Sequence, residues 1–515
     1  MNLTSASHID SEHSDSQKKK MNHRLLLTTV AVVGVFVVSA AHLDAQTDGG
    51  ENIILGRPTD ASIVVHVLAE EGTEISVEYG ETPGRLLQST ASTVASADGT
   101  AVAMITKLAP DHHYYYRVAY MDIKGKRVGD EYSFRTQRSQ GTTFNFGVQG
   151  DSHPERLGRM YHPDLYARTM RLVEDTQPDL YFMLGDDSNL SPLVADFFQG
   201  DRSMLTQKFV DNNYINQRRF LGLMAHSTAL FPVNGNHELG YRSLLGTLLH
   251  DVAIFAGKAR NRYLPVPTPD NFYSGNPEPV PGIGLLGDYF AFEWGDALFI
   301  SLDPYWHSTR VTERVSGGMG MGMGSNPPWS EIIDEYNALT QSTGNLWDAT
   351  IGDAQYEWFK TTLEESDAKY KFVFTHHVLG TGRGGIERAT KYEWGGYTDD
   401  GEWEFGTQRP NWELPIHQLM VKNDVNIFFQ AHDHIFAHQQ LDGVVYQSVP
   451  NPADDTYTAR NRNAYLSGGI LDNSGYLNIT VSPENVQVDY IRSYLPEHEV
   501  GSRRHGDVDY SYTVE

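Results

Sequence analysis

Side chains that can bind a metal ion follow five predicted strands between residues 144 and 434. The first strand, FNFGVQ, alternates in polarity, and the Asp151 and His153 side chains that follow it are two positions apart, which places them on one side of an extended chain. The full set is Asp151 and His153 in GDSH, Asp186 in GDD, Asn236 and His237 in GNHE, His376 in THH, and His432 and His434 in AHDH. One Asp-x-His pair says little, but five clusters at five strand ends favour one shared site over unrelated surface loops.

The ligand types restrict the metal. Carboxylate, amide and neutral imidazole groups are intermediate to hard ligands, which suit iron, manganese or zinc without choosing among them. The chain has no cysteine, so thiolate metal sites, disulfides and cysteine nucleophiles are excluded.

The elements that must position these groups alternate between strands and helices. Strands are predicted at 144–149, 179–184, 228–233, YFAFEW, ALFISLD, 371–376 and 425–430, and helices near 161–175, 202–224, 353–366 and 412–422. This succession predicts an α/β core, in which sites form outside the carboxyl ends of the strands, so we expect the five motifs to converge there. A Gly- and Met-rich flexible insertion is predicted at 316–325, a closing hairpin at 476–494 and a flexible tail at 496–515.

Residues 52–137 have a different pattern, which predicts an all-β sandwich. Short alternating segments such as EISVEYG and EYSFRTQ are separated by Gly, Pro and Asp. Within this region, LAPDHHYYYRV resembles the Leu-x-Pro-x-x-x-Tyr signature of fibronectin type III domains. The resemblance implies that Tyr114 is a corner tyrosine whose hydroxyl bonds to nearby backbone.

Residues 1–45 are predicted to be a leader. A basic segment, KKKMNHR, precedes a 17-residue apolar run from Leu25 to Ala41 and then small residues, which favours a signal peptide cleaved near Ala45. An uncleaved membrane anchor is the alternative, because a spanning helix needs about 17 to 25 residues. The formal charge of −26 disfavours nucleic acid as a structural partner and anionic membrane as a surface, so an anionic substrate requires locally concentrated positive charge.

At the strand-end motifs the chain resembles the calcineurin-like metallophosphoesterases. Their pattern is Asp-x-His, Gly-Asp, Gly-Asn-His-Asp/Glu, His and Gly-His-x-His, and the order agrees in all five places. The resemblance implies an α/β four-layer domain at 143–495, with two mixed β-sheets flanked by helices, and a dinuclear metal centre. By motif, the first metal would be bound by Asp151, His153 and His434, the second by Asn236, His376 and His432, and Asp186 would bridge both.

Two metal ions suit phosphate-ester hydrolysis. Attack by water on an anionic ester needs a nucleophile that exists at neutral pH and neutralisation of the phosphoryl oxygens, and a pair of cations supplies both. The resemblance implies that His237 hydrogen-bonds the phosphoryl group or protonates the leaving oxygen. Glu238 is expected to orient the His237 ring.

The layout is similar to that of purple acid phosphatases, which also carry a fibronectin-like domain before the catalytic one. Those enzymes have a tyrosine ligand three residues after the bridging aspartate, where this chain has Asn189, and they lack a histidine at the position of His153. We therefore expect no iron-tyrosinate chromophore. We assign His376 as the ligand rather than His377 because it comes first after the strand.

The roles of three further polar residues stay open. Asp187 either supports the metal ligands or is a turn residue. His307 follows a predicted strand on a loop that could approach the site. Arg383 either holds a second phosphate oxygen or is a solvated loop residue.

These features together predict an exported, dinuclear metal-dependent hydrolase that acts on small phosphate esters, preferably phosphomonoesters, by attack of metal-bound hydroxide. A phosphodiesterase acting on nucleotides or lipid headgroups is the alternative among enzymes, because insertions such as 239–285 would determine selectivity. A non-catalytic surface binding or adhesion protein is the alternative from another class, and the intact ligand set argues against it.

Overall fold

The computed structural model describes residues 52–123, 125–190, 206–247, 249–309 and 346–515. The predicted leader at 1–45 and the predicted insertion at 316–325 lie outside these residues. Within them, no helix combines the length and the apolar character that crossing a membrane requires.

The N-terminal region forms two antiparallel sheets that share one apolar core. The first sheet contains Ile53–Gly56, Ser62–Leu68 and Thr100–Thr106, and the second contains Glu74–Gly80, Gln88–Ser89, Thr93–Val94, His113–Asp122, Gly125–Val128 and Tyr132–Arg135. Residues from both sheets, including Val65, Val77 and Tyr116, are buried together. The Tyr114 hydroxyl accepts a hydrogen bond of 2.9 Å from the Ala109 backbone N–H, as its motif predicts. Assignment of this sandwich to the fibronectin type III fold stays a prediction.

The rest of the described chain contains two mixed β-sheets. One has the strand order Ala229–Pro232, Leu180–Met183, Phe144–Gln149, Gly475–Val481, Val486–Arg492 and Val508–Val514. The other has the order Ser274–Gly275, Phe290–Trp294, Ala297–Ser301, Tyr370–Phe374, Ile427–Gln430, Val444–Ser448, Phe436–Leu441 and Gly469–Leu471. A separate two-stranded ribbon pairs Pro279–Val280 with Gly284–Leu285. The strands that lead into the five motifs run parallel within each sheet, so their carboxyl ends share an edge.

Helices cover the outer faces of both sheets and complete four layers. The described helices are Pro163–Thr176, Gln207–Leu221, His250–Tyr263, Asp353–Glu365, Ile386–Ala389, Tyr392–Gly395, Phe405–Gln408 and Ile416–Lys422. The first three pack on the six-stranded sheet of the α/β domain, against outward-facing residues such as Tyr181. Helices Asp353–Glu365 and Ile416–Lys422 pack on the second sheet around Val373 and Phe428. The predicted four-layer α/β architecture is confirmed.

A stack of phenylalanine rings between the two sheets holds the strand ends opposite one another. Phe182 lies parallel to Phe374 with ring centroids 4.1 Å apart, and Phe374 stacks on Phe429 at 4.9 Å. These rings belong to the strands that precede Asp186, His376 and His432, and all three are fully buried. Burial of each phenylalanine side chain stabilises the fold by about 1.5 to 3 kcal/mol. The packed rings therefore hold the strands, and the motifs that follow them, at a fixed spacing.

The C-terminal segment differs from the prediction. The hairpin expected at 476–494 is present as Gly475–Val481 paired with Val486–Arg492. The prediction of a flexible tail at 496–515 is wrong, because Val508–Val514 adds a sixth strand to this sheet by pairing with Val486–Arg492. The cause is side-chain packing at alternate positions, where Tyr512 stacks on His438 with ring centroids 3.8 Å apart.

A buried arginine joins the sandwich to the α/β domain. Arg218 lies in helix Gln207–Leu221 and is fully buried. It donates five hydrogen bonds of 2.5 to 3.0 Å, to the backbone carbonyls of Asn52, His66 and Tyr263, to the Asn52 side chain and to the His66 ring. A guanidinium has five N–H donors, so every donor has an acceptor.

Candidate metal centre

The structure places all eight residues of the five motifs in one buried pocket. Each is at most 9% exposed. The ligand atoms of the seven Asp and His residues form overlapping groups, within which all atoms lie within 4.8 Å of one another: Asp151, Asp186, His376 and His432; Asp151, His153 and His434; and His153, Asp186 and His237. The convergence expected from the strand ends is therefore present.

The first group surrounds the Asp151 carboxylate. Its Oδ2 atom lies 2.9 Å from Nε2 of His434 and 3.4 Å from Nε2 of His153. The other oxygen, Oδ1, accepts a 2.7 Å hydrogen bond from the His432 backbone N–H and so fixes the carboxylate.

The second group is centred on His376. Its Nε2 atom lies 3.0 Å from Oδ1 of Asn236 and 3.1 Å from Nδ1 of His432. Asp186 lies between the groups, because its Oδ2 atom is 3.2 Å from Nε2 of His376 and 3.6 Å from Nε2 of His153. Asp186 thus contacts both sets of side chains with one oxygen.

Four of the converging residues have left-handed backbone conformations. The φ angles are 50° at His153, 59° at Asp186, 66° at His432 and 52° at His434. Such angles are uncommon outside glycine and cost about 1 to 3 kcal/mol each, and they cluster at functional sites. Stability alone does not favour these turns, and their shared effect is to aim four side chains into one pocket.

Close backbone approach also explains a motif glycine. A Cβ atom on Gly235 would collide with the Asp186 carboxylate and backbone nitrogen. Only glycine therefore allows the GNHE turn to pack directly against the GDD turn.

Hydrogen bonds on the far side of three imidazole rings fix which nitrogen faces the pocket. His153 Nδ1 lies 2.7 Å from Glu155 Oε1, and His376 Nδ1 lies 2.6 Å from the Leu184 carbonyl oxygen. His432 Nε2 lies 3.1 Å from the Gly382 carbonyl oxygen. Carboxylate and carbonyl partners accept, so each ring donates outward and turns its other nitrogen inward, where it can bind a metal ion once that nitrogen has lost its proton.

Two buried atoms that face each other in the pocket, Asp151 Oδ2 and His153 Nε2, make no hydrogen bond of good geometry among the described residues. Buried polar atoms are normally paired, and a group of exceptions indicates a missing ion or water. Since carboxylate oxygen and imidazole nitrogen are both electron-pair donors, this set fits metal ions.

The electrostatics of the pocket favour positive charge. Burial alone would lower the pKa of His376, but Asp186 and Asp151 outweigh it and raise the pKa to about 10. In contrast, burial lowers the pKa of His237 to about 4 despite the nearby Asp186. The two carboxylates thus create a negative potential deep in the pocket, while the His237 ring is neutral at pH 7.

Glu238 acts differently from the expectation. The sequence predicts that it orients the His237 ring, but its carboxylate instead accepts hydrogen bonds of 2.7 to 3.0 Å from four backbone N–H groups, at Gly235, Asp186, Asp187 and Ser188. Glu238 therefore holds the GDD turn against the GNHE turn. The His237 backbone N–H is fixed separately, by a 2.9 Å hydrogen bond to Asp186 Oδ1.

The structure also places the residues whose roles were open. Asp187 is buried and accepts a 3.1 Å hydrogen bond from Gln149 outside the ligand groups. Arg383 donates to the His432 carbonyl oxygen at 2.5 Å and to Asp433 at 3.0 Å, and so supports the AHDH turn. His307 lies 3.8 Å from Asp288, and His377 accepts from the Leu379 backbone N–H at 3.3 Å; neither belongs to a ligand group.

Sequence reasoning missed two neighbours of the pocket, Glu155 and Arg156. Glu155 accepts from His153 and, at 2.9 Å, from the Asn189 side chain, which stands where purple acid phosphatases have a tyrosine ligand. Arg156 Nη2 lies 3.4 Å from His237 Nε2. Their position directly after the GDSH motif is the only sequence signal, and it does not distinguish them from solvated loop residues.

Comparison with known proteins agrees with this geometry. The sequence profile of the calcineurin-like phosphoesterases matches residues 144–436, more than half of the chain. The chain belongs to this family. As a calcineurin-like phosphoesterase it is a phosphoric ester hydrolase, and its buried Asp and His side chains form a cluster that could hold metal ions.

Solved structures share the fold of this phosphoesterase. The structure of PhoD has a TM-score of 0.58 and 13% sequence identity, covering 85% of each chain. The purple acid phosphatase PPD1 from yellow lupin (Lupinus luteus) seeds has a TM-score of 0.54 and 15% identity, covering 90% of this chain and 73% of that one. At these identities the likeness concerns the fold alone. No curated protein sequence matches the chain.

Proposed function

We propose that this protein is an exported phosphoesterase with a dinuclear metal centre, which hydrolyses phosphate esters and prefers monoesters. The observation that carries the proposal is the position of Asp186 Oδ2, within 3.2 to 3.7 Å of imidazole nitrogens of His376, His153 and His237. One carboxylate oxygen that faces two ligand groups is what a bridging ligand requires.

The proposed ligand sets are those that the family resemblance implies, and the proximity of their atoms supports them. Asp151, His153 and His434 would hold one metal, and Asn236, His376 and His432 the other, with Asp186 shared. The mixture of carboxylate, amide and imidazole suits iron, manganese or zinc. Asn189 bonds to Glu155, which supports the expectation that the iron-tyrosinate chromophore is absent.

When bound, such metal ions supply Lewis acidity and a nucleophile at neutral pH. The protein orients the ligands through the turns held by Glu238 and by Asp151, and it excludes bulk water from the floor of the pocket, where Asp151 and Asp186 are each 1% exposed. His237 stands beside Asp186 and would hydrogen-bond the phosphoryl group, the role that a ring neutral at pH 7 favours over protonation of the leaving oxygen. The products would be an alcohol and inorganic phosphate.

Turnover of chromogenic substrates tests this function. Protein reconstituted with iron, manganese or zinc should hydrolyse 4-nitrophenyl phosphate faster than bis(4-nitrophenyl) phosphate, and Asp186→Ala should hydrolyse neither. Asp211→Asn is a matched control, because Asp211 is a buried carboxylate that pairs with Arg262 outside the pocket. A faster diester reaction would favour a phosphodiesterase. Metal-loaded protein that hydrolyses neither ester would contradict the proposal.

Export is proposed from the leader sequence, which has the order of a signal peptide. N-terminal sequencing of the mature protein from its own host tests this part separately. A new N-terminus near Ala45 is expected, and an intact N-terminus in the cytoplasmic fraction would contradict export.

A further inference from the structure

Arg156 faces the pocket from the loop after strand Phe144–Gln149. It ends the short 3-10 helix Pro154–Arg156, which begins directly after His153. Its Nη2 atom lies 3.4 Å from His237 Nε2, which in turn lies 3.7 Å from Asp186 Oδ2. The guanidinium therefore stands beside the imidazole that faces the proposed reaction centre.

Neighbouring side chains hold this guanidinium in place. Its Nε atom lies 3.3 Å from Glu155 Oε1, and its Nη1 atom lies 3.3 Å from the Met160 sulfur. The side chain keeps 29% of its surface exposed, so Arg156 is anchored at one edge and still partly accessible to solvent. A planar guanidinium anchored in this way can offer N–H groups to an oxyanion without large rearrangement.

Arg383 on another loop shows the contrast. Its Nη1 atom is engaged by the His432 carbonyl oxygen and by Asp433, in the turn that carries two ligand histidines. Arg383 therefore stabilises the AHDH turn. The Nη2 atom of Arg156 instead meets His237, a side chain that is not in either proposed metal ligand set.

We propose that Arg156 binds the non-bridging oxygens of the phosphoryl group and thereby favours dianionic monoesters over monoanionic diesters. The inference rests on the proposed function and adds a residue that determines its substrate class. The overall charge of −26 makes a fixed cation at the pocket valuable for an anionic substrate. Two parallel N–H bonds to phosphoryl oxygens match guanidinium geometry, and a monoester offers one more charged oxygen than a diester.

Substitution of Arg156 tests the inference with two substrates and one inhibitor. For Arg156→Ala we expect kcat/KM for 4-nitrophenyl phosphate to fall about 10²-fold and kcat/KM for the bis ester to fall less than about tenfold. The inhibition constant of inorganic phosphate should rise about tenfold or more. Arg156→Lys should retain more monoester activity than Arg156→Ala, because lysine keeps the positive charge but lacks the planar pair of N–H groups.

The matched control is Arg159→Ala, which removes an exposed arginine from the same loop. It should leave the ratio of monoester to diester kcat/KM unchanged. Equal losses for both esters in Arg156→Ala, or a loss of bound metal per chain, would overturn the inference, since Arg156 would then act only by supporting Glu155 and His153.

Failure of the proposed function is a separate outcome. If the metal-loaded parent hydrolyses neither ester, calorimetric titration with inorganic phosphate still measures the Arg156 contribution. Weaker phosphate binding by Arg156→Ala than by Arg159→Ala would support the contact, and equal affinities would overturn it.

Discussion

Two buried polar clusters in this protein differ in how completely their atoms are paired. At the joint between the sandwich and the α/β domain, Arg218 is fully buried, and each of its five donors meets an acceptor. At the strand-end pocket, Asp151 and His153 are equally buried, but Asp151 Oδ2 and His153 Nε2 make no hydrogen bond among the described residues, although they lie 3.4 Å apart. The protein itself satisfies the hydrogen-bonding groups of the first cluster. The second cluster offers oxygen and nitrogen atoms that a bound cation would satisfy.

The contrast separates a structural use of buried charge from a functional one. A satisfied buried group specifies how two domains fit, and removing it leaves orphaned acceptors. A converging set of unpaired carboxylates and imidazoles, held on turns with positive φ at His153 and Asp186, costs stability and is retained for chemistry. Substitutions in the two clusters should therefore affect different measurements.

The largest effect is expected at the shared carboxylate. Asp186→Asn keeps the shape and removes the charge that both ligand groups face, so kcat for phosphate esters should fall on the order of 10³-fold or more. Bound metal per chain, measured by elemental analysis, should fall with it. Full metal content together with normal turnover would show that Asp186 is not shared by the two groups.

Arg218→Ala should lower the stability of the protein and leave its metal content unchanged. It orphans the acceptors at Asn52, His66 and Tyr263, so the free energy of unfolding should fall by about 3 to 5 kcal/mol, measured by denaturant titration. Arg219→Ala, its exposed neighbour on the same helix, should change stability by no more than about 0.5 kcal/mol. Equal effects of the two variants on stability, or a loss of metal from Arg218→Ala, would contradict the assignment of a purely structural role to the Arg218 cluster.

Glu155 tests the outer layer of the pocket. Glu155→Gln weakens the acceptor that fixes the His153 ring, so metal affinity should fall about 10- to 100-fold in a competition assay with a chromogenic chelator. Glu174→Gln, on the partly exposed side of helix Pro163–Thr176, is the control and should bind metal like the parent. Unchanged affinity in Glu155→Gln would mean that His153 is oriented without it.

The most gradual effect is a pH dependence of stability at the domain joint. Burial and the Arg218 charge lower the pKa of His66 to about 3, against an ordinary value near 6.5. The unfolded chain therefore binds more protons between these values, and stability that is fully present above pH 6.5 is lost as the pH falls towards 3, by about 1.4 kcal/mol per pH unit. Denaturant titrations from pH 7 to 4 should give a shallower slope for His66→Gln than for the parent, and equal slopes would contradict this account.

The sequence predicted the strand ends well because each motif is local. The strand at 144–149 and the ligand turns follow from apolar runs that end in Gly, Asp and His, and the same local pattern is what the structure contains. The tail strand Val508–Val514 was not predicted, because it is stabilised by contacts with residues far away in the chain, such as His438. Helix His250–Tyr263 lies in a segment that reads as an insertion.

The domain joint could not be predicted for a related reason. Arg218 reads as a solvated residue in a helix, and three of its five acceptors are backbone carbonyl oxygens, which every residue carries. No side-chain pattern marks such a site. The role of Glu238 was missed likewise, because its partners are backbone N–H groups of another turn.

Anomalous diffraction from crystals of the manganese-loaded protein tests the central claim most directly. Two peaks are predicted on either side of Asp186, one beside Asp151, His153 and His434 and one beside Asn236, His376 and His432. Manganese peaks found only away from Asp186, or no peak in this pocket at full manganese loading, would contradict the account.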